Sequence, residues 1–424
     1  MIRFLLKGLF RDRSRSLLPI LVVATGVMLT VLMHAYVTGV MGDTIEMNAR
    51  FTTGHVKIMS TAYAENSDLR PNDLALMEVE SLLEELKTNY PDIDWAQRIQ
   101  FGGLVDAPDE NGETRSQGPA MGMGLDLLST DSKEDERLNL SESLVRGNMP
   151  SQPGEVLLSE EFSRKLKVNP GDNVTLIGSS MHGSMIMYNF IVSGTLRFGT
   201  DFLDRGTIVA DIEDVRLALD MYDAAGELTG YFKSGYYDQG FADEVKTQFN
   251  VQYNDEEDEY APLMVTLRDQ DSMATYVDMA QSMGVLITVI FMFAMSLVLW
   301  NAGLLGGIRR YGEVGLRLAI GEEKRHVYIS MIAESVMIGI AGSILGTAIG
   351  LFFAWLIQTY GIDIGSMMQG SSVMMPSVIR AHITPADFYL GFIPGVISTV
   401  IGTGLAGIGI YKRKTAQLFK ELEN

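Results

Sequence analysis

Residues 309–328 read RRYGEVGLRLAIGEEKRHVY and run directly into ISMIAESVMIGIAGSILGTAIG, 329–350. A short charged segment thus stands between two long apolar runs, because Met283 to Ile308 precedes it and Val327 to Ile357 follows. Inside it, Gly312 to Ile320 mixes charged and aliphatic residues at helical spacing, and Gly321 supplies a helix stop. A helix here would lie at a membrane face and offer Glu313 and Arg317, four apart, to a partner.

Two further apolar runs, Leu17 to Met41 and Phe388 to Tyr411, bring the number to four. Each exceeds the roughly 20 apolar residues that cross about 30 Å of hydrocarbon as a helix. The first is too long for the apolar core of a signal peptide and is expected to stay as an anchor. Lysine and arginine set the orientation. Residues 1–16 carry Arg3, Lys7, Arg11, Arg13 and Arg15; 309–326 carry Arg309, Arg310, Arg317, Lys324 and Arg325; 412–424 carry Lys412, Arg413, Lys414 and Lys420. With four spans all three lie on one side, predicted to be the cytoplasm with both termini in it.

Residues 42–282 then lie outside. They hold 18 basic and 44 acidic side chains, a net −26 that exceeds the whole chain's −20. Acidity of that size excludes a nucleic-acid binder. The absence of cysteine excludes disulfides and thiolate chemistry.

Val79, Leu82, Leu83, Leu86 and Tyr90 predict a helix over about 72–90 between strands at Thr53–Ser60 and Trp95–Val105, a β-α-β half spanning about 50–107. A second half, about 206–268, is expected from a strand at Gly206–Asp211, helices at about 212–221 and 239–249, an extended stretch at 229–236 and a strand at Leu263–Leu267. A β-rich insertion lies between, with hairpin signals at 111–112, 169–172 and 182–183. The predicted fold is an α+β membrane protein: four transmembrane helices (17–41, 283–308, 327–357, 388–411) with a large α+β extracytoplasmic domain between the first two. Residues 309–326 form a cytoplasmic loop, 358–387 an external loop and 412–424 a cytoplasmic tail.

No catalytic constellation is present. The histidines are scattered, there is no GxSxG elbow, and there is no GxxxxGK[ST] phosphate loop. Neither catalytic nor metal-ligating residues are assigned, and no substrate-binding residue is identified. The acidic run 255–259 lacks the alternating ligands of a calcium loop and reads as a solvated turn. Met121, Met123, Met181, Met185, Met187, Met367, Met368, Met374 and Met375 could bind copper(I) or apolar chains, with ordinary packing the favoured reading. Glu334 falls roughly 10 Å into the third span at 1.5 Å per residue; it is either functional or paired with an arginine of the preceding loop. Gly342, Gly346 and Gly350 form a small-residue seam for helix packing, within the chain or across a dimer.

These residues carry a family resemblance. Arg310, then Glu313, Val314, Gly315, Leu316 and Arg317, then Gly321, and Glu334 inside the next span resemble the coupling-helix region of the FtsX-like, MacB–LolC family of ABC permeases. RFLLKGLFRDRSRSLLPILVVATGV (3–27) resembles that family's amphipathic first helix and first span, with the cytoplasmic part at 1–16. PGEVLLSEEFSRKLKVNPGDNVTL (153–176) resembles its extracytoplasmic core. The tail YKRKTAQLFKELEN lacks the P-x-x-A-L ending of many members.

The resemblance implies a bacterial inner-membrane permease, closest in layout to the lipoprotein-releasing branch and not itself an enzyme. It would form a dimer with a second copy or a paralogue and work with two copies of a cytoplasmic ABC ATPase. ATP and Mg²⁺ would sit in that ATPase, and this chain would hold no cofactor. Arg310, Glu313, Val314, Gly315, Arg317 and Gly321 would couple the two subunits. The expected function is extraction or export of a lipoprotein, lipid, peptide or other amphiphile by mechanotransmission, with membrane lipids as surroundings. The alternative is a signalling complex that moves nothing and switches an extracytoplasmic partner such as a cell-wall hydrolase.

Overall fold

The computed structural model describes residues 13–412 apart from 110, 200, 254, 256, 271–272, 309–310 and 364–377. Most of the predicted cytoplasmic helix at 1–16, Arg310, the four methionines Met367, Met368, Met374 and Met375, and nearly all of the tail lie outside the described residues. The chain divides into two compact units. One holds 1–43, 279–363 and 378–424; the other holds 44–278 and 364–377.

The first unit contains the four apolar helical segments. The helices run Arg13–Asn48, Met273–Ile308 and Lys324–Tyr360; the fourth combines a 3-10 turn Pro385–Phe388, a π turn Ile393–Ser398 and an α-helix Thr399–Lys412. All four are long and apolar enough to cross a membrane. The first and second helices each have 36 residues, or about 54 Å at 1.5 Å per residue, well beyond a membrane's hydrocarbon.

The second unit is built on a ten-stranded sheet: β1 Val56–Ser60, β3 Ile93–Pro108, β4 Thr114–Leu125, β5 Leu144–Gly147, β6 Glu155–Ser159, β7 Asn173–Ser179, β8 Met185–Leu196, β9 Thr207–Asp211, β11 Glu227–Phe232 and β12 Pro262–Thr266. A separate pair joins β2 Leu76–Met77 to β10 Ala224–Ala225. One end of the main sheet runs β12-β1-β11-β3 with every neighbour antiparallel. β1 and β3 are joined through the helix Val79–Asn89, and β11 and β12 through the helix Gln239–Tyr253. The two expected halves therefore interleave as split β-α-β units, each with a strand of the other between its own two.

Beyond β3 the pairings β3-β4-β9-β6-β8-β7-β3 close a six-stranded ring. This ring holds β4, β6, β7 and β8 from between the two expected halves and shares β3 with the first half. It also takes Thr207–Asp211, which sequence assigned to the second half. All five residues of that strand are buried and pair parallel to β4, so both of its edges belong to the ring. The apolar core runs through both parts, from Val56 and Ile58 through Ile99 and Phe101 to Phe162, Phe190 and Ile208.

Two local readings are corrected. The helix expected from residue 72 starts at Val79, because 72–74 form a 3-10 turn, Leu76–Met77 pair with β10, and Glu78 takes a left-handed conformation at φ 55°. The turn at 169–172 is no hairpin: it leads from the helix Glu160–Leu166 into β7. The other two signals are hairpins, β3 to β4 through Gly112 and β7 to β8 through Gly183, both glycines with positive φ.

Candidate functional site

The charged connection folds as the helix Tyr311–Ala319. Its end is a Schellman stop: the Glu322 N–H donates to the Arg317 carbonyl at 3.1 Å, and the Gly321 N–H donates to the Leu318 carbonyl at 3.1 Å. Gly321 has φ +102° and open space where a Cβ would stand, so conformation rather than crowding requires glycine. The next helix begins at Lys324, which makes the turn between them tight.

Side chains lock this turn. Arg317 Nε and Nη2 donate to the two carboxylate oxygens of Glu322 at 2.6 and 2.7 Å, a bidentate pair. The hydrogen bonds to Glu322 push the guanidinium pKa up, with further help from the charges of Glu322, Glu313 and Glu334. Arg317 in turn holds the Glu322 carboxyl below the usual carboxylate range. Glu334 is half-buried in the third span, and its charge adds a little to the rise at Arg317, whose ion-pair partner is Glu322.

The helix has two faces. Val314 and Gly315 are buried, and Val314 packs with Leu318 against Val327 and Met331 of the following helix. Glu313 and Ala319 are exposed, Leu316 is 50% exposed and Ile320 is 79% exposed. Sequence reasoning placed Val314, Gly315 and Arg317 among the coupling residues. The structure turns Val314 and Gly315 toward the third span and ties Arg317 to Glu322. Among the described residues of this segment, the exposed ones are Glu313, Leu316, Ala319 and Ile320. The sequence reading includes Leu316 only as part of the motif and Ile320 only as the end of the stretch from Gly312; two aliphatics beside charged residues, one on the helix and one just past it, were the available signal.

The glycine seam lies within the chain. A Cβ on Gly342 would meet Val23 Cγ1 at 2.6 Å, on Gly346 the Ala24 carbonyl oxygen at 2.5 Å, and on Gly350 Val31 Cβ at 3.0 Å. The third span therefore rests directly on the first. Elsewhere in this unit Asp387, fully buried, accepts from His34 Nδ1 at 2.7 Å and from the Thr384 amide at 2.7 Å. In the other unit Met185 and Met187 are 77% and 69% exposed on β8, while Met121 and Met123 are half-buried.

The MacB-like periplasmic core domain family matches residues 16–282, and the FtsX-like permease C-terminal family matches 285–415. The chain belongs to the FtsX-like, MacB-type permeases. It is similar to the lipoprotein-releasing system transmembrane protein LolC of Xylella fastidiosa strain 9a5c, 25% identical over 252 residues that cover 57% of each chain. It is also similar to the macrolide export ATP-binding/permease protein MacB of Bdellovibrio bacteriovorus, 36% identical over 70 residues, 15% of this chain and 11% of that one. The stretch it shares with LolC spans just over half the length of that relative. Among solved structures, the periplasmic region of MacB from Actinobacillus actinomycetemcomitans matches 51% of this chain and 89% of its own, at 11% identity and TM-score 0.34. By its two family matches, this permease carries an FtsX-like C-terminal part and a MacB-like periplasmic core.

Proposed function

We propose that this permease is the membrane subunit of an ATP-driven complex that extracts or exports an amphiphile (a lipoprotein, lipid or peptide) at the outer membrane face. Two copies of a cytoplasmic ABC ATPase supply the ATP and Mg²⁺ chemistry, and a second permease, identical or a paralogue, completes the complex. Both termini lie in the cytoplasm. One observation carries this reading: the helix Tyr311–Ala319 and the turn that ends it present an apolar pair, Leu316 on the helix and Ile320 just past it, beside Glu313, and the helix is anchored by Val314 on the third span. An exposed apolar pair flanked by charge suits a groove in a partner protein.

Closure of the ATPases on ATP would push this helix. Its Schellman stop and the Arg317–Glu322 pair leave little slack, so the push reaches the third span. The experiment is ATP hydrolysis by the purified complex in nanodiscs, with a triacylated lipopeptide and its unacylated form added in parallel. Stimulation by the acylated form alone is expected. Equal rates with both, alongside a stably co-purified extracytoplasmic protein, would favour the signalling alternative.

A further inference from the structure

The first helix ends in an unusual way. After Asn48 the chain makes a π turn, Ala49–Thr53, then passes through Gly54 at φ +65° into β1. The last carbonyls of a helix have no partner inside it, and water is their ordinary partner at a surface. Here protein groups take four of the last five. The Ala49 carbonyl accepts from the Gly54 amide at 2.8 Å. The Arg50 carbonyl accepts from Tyr231 O–H at 3.2 Å, the Phe51 carbonyl from Arg98 Nη1 at 3.2 Å, and the Thr53 carbonyl from Gln270 Nε2 at 3.1 Å.

Gly54 closes the turn's own bond; the other three donors come from three separate places: β3, β11 and the residues just ahead of the second helix. Each is itself held. Arg98 is buried and bonds Glu134 Oε2 at 2.9 Å; Glu134 also pairs with Arg137, whose guanidinium carbon lies 4.0 Å from the Tyr231 ring centroid. Gln270 also donates to the Thr266 carbonyl at 3.2 Å, and Arg268 beside it pairs with Asp278 in the second helix at 2.8 Å. On the helix side, Glu46 accepts from His55 Nε2 at 2.7 Å. The Phe232 amide donates to His55 Nδ1 at 2.8 Å, which leaves Nε2 as the nitrogen that donates to Glu46.

We propose that Arg98, Tyr231 and Gln270 are positioning residues that make this helix end a rigid joint. They remove the swivel that a solvated helix terminus followed by glycine would have, so motion of the helix passes to the sheet and to the start of the second helix together. The proposal rests on the mechanotransmission reading and names the place where force would enter the outer domain. A role in stability alone would leave ATP-driven movement intact whenever the protein folds, and the two roles separate on that point.

The chain has no cysteine, so two introduced cysteines label specifically. The full-length permease with its co-purified ATPase, in nanodiscs, carries spin labels at Leu21→Cys and Glu84→Cys. Pulsed electron resonance then records the distance distribution with and without ATP and vanadate. Wild type is expected to give a narrow distribution that shifts on trapping. Tyr231→Phe with Gln270→Leu is expected to broaden it and lose the shift, with hydrogen exchange of amides 49–55 at least tenfold faster and ATP hydrolysis within twofold of wild type. If the double variant does not fold, Gln270→Leu alone reads the same quantities. A shift that persists in a folded variant overturns the proposal and leaves the functional reading intact. Free exchange of amides 49–55 in wild type also overturns it. No shift in wild type overturns the functional reading and the proposal together.

Discussion

The second and third spans are alike in length and hydropathy and opposite in surroundings. They have 36 and 37 residues and mean hydropathies of 2.4 and 2.1, yet 11% of the second span's most apolar window is buried against 39% of the third's. The third turns Gly342, Gly346 and Gly350 to the first span. The second exposes Leu286, Val289, Ile290, Phe293 and Leu297; its close glycine contacts fall near its end, where Gly303 and Gly307 meet Thr399 and Ala406 of the fourth segment, while Gly284 near its start faces Val37 and Met41 of the first span at ordinary contact distance. Hydropathy places a helix in the membrane; small residues decide what it packs against. The third span holds the membrane unit together, and the second keeps a long apolar face for lipid or another subunit.

The sharpest way to break this contrast is Gly346→Leu. Its Cβ would fall 2.5 Å from the Ala24 carbonyl oxygen, and backbone cannot yield as a side chain can. Overpacking of this kind costs about 3 kcal/mol or more, so most folded protein should be lost, as read by monodisperse yield and melting temperature in detergent. Next comes Gly321→Val. A β-branched residue at φ +102° is strained by roughly 1–3 kcal/mol. The variant should fray the end of the helix Tyr311–Ala319, seen as faster hydrogen exchange at residues 319–323 with the rest of the chain unchanged.

Smaller still is a pH effect at the same turn. Arg317 depresses the Glu322 carboxyl in the fold, so the ion pair stabilises the turn above the unfolded carboxylate range and loses that contribution as pH falls through the lowered folded value. Exchange at residues 320–327 should quicken on acidification below about pH 4, and Glu322→Gln should remove that dependence. The smallest effect is expected at Phe293→Ala. The residue is exposed on the second span, so its loss should change the monomer's stability by less than about 0.5 kcal/mol. A larger fall in the melting temperature, absent when the subunit is monomeric, would mean that a second subunit covers this face.

The sequence made the spans legible because twenty uncharged apolar residues have few other uses. It made the helix stop at Gly321 legible because only glycine suits that backbone. Which side of the helix Tyr311–Ala319 faces inward was not legible: Val314, Leu316, Leu318 and Ile320 are all aliphatic, and only tertiary contact with Val327 and Met331 separates them. The interleaved sheet escaped for a related reason. Alternating burial marks a strand but does not name its neighbour, so β9 was grouped with the strands that follow it instead of with β4 and β6. The π turns at 49–53 and 393–398 leave no period that apolar spacing could show.

On the proposed function, Leu316 and Ile320 form the surface that receives an ATPase. That contact is tested most directly by affinity purification of the full-length chain from its native membrane, comparing wild type with a Leu316→Glu, Ile320→Glu double variant and quantifying co-purified ABC ATPase. Both residues are exposed, so the variant should fold and insert as wild type does. The predicted result is stoichiometric ATPase with wild type and at least a tenfold loss with the variant. Equal recovery from both, or no ATPase with wild type, would contradict the account.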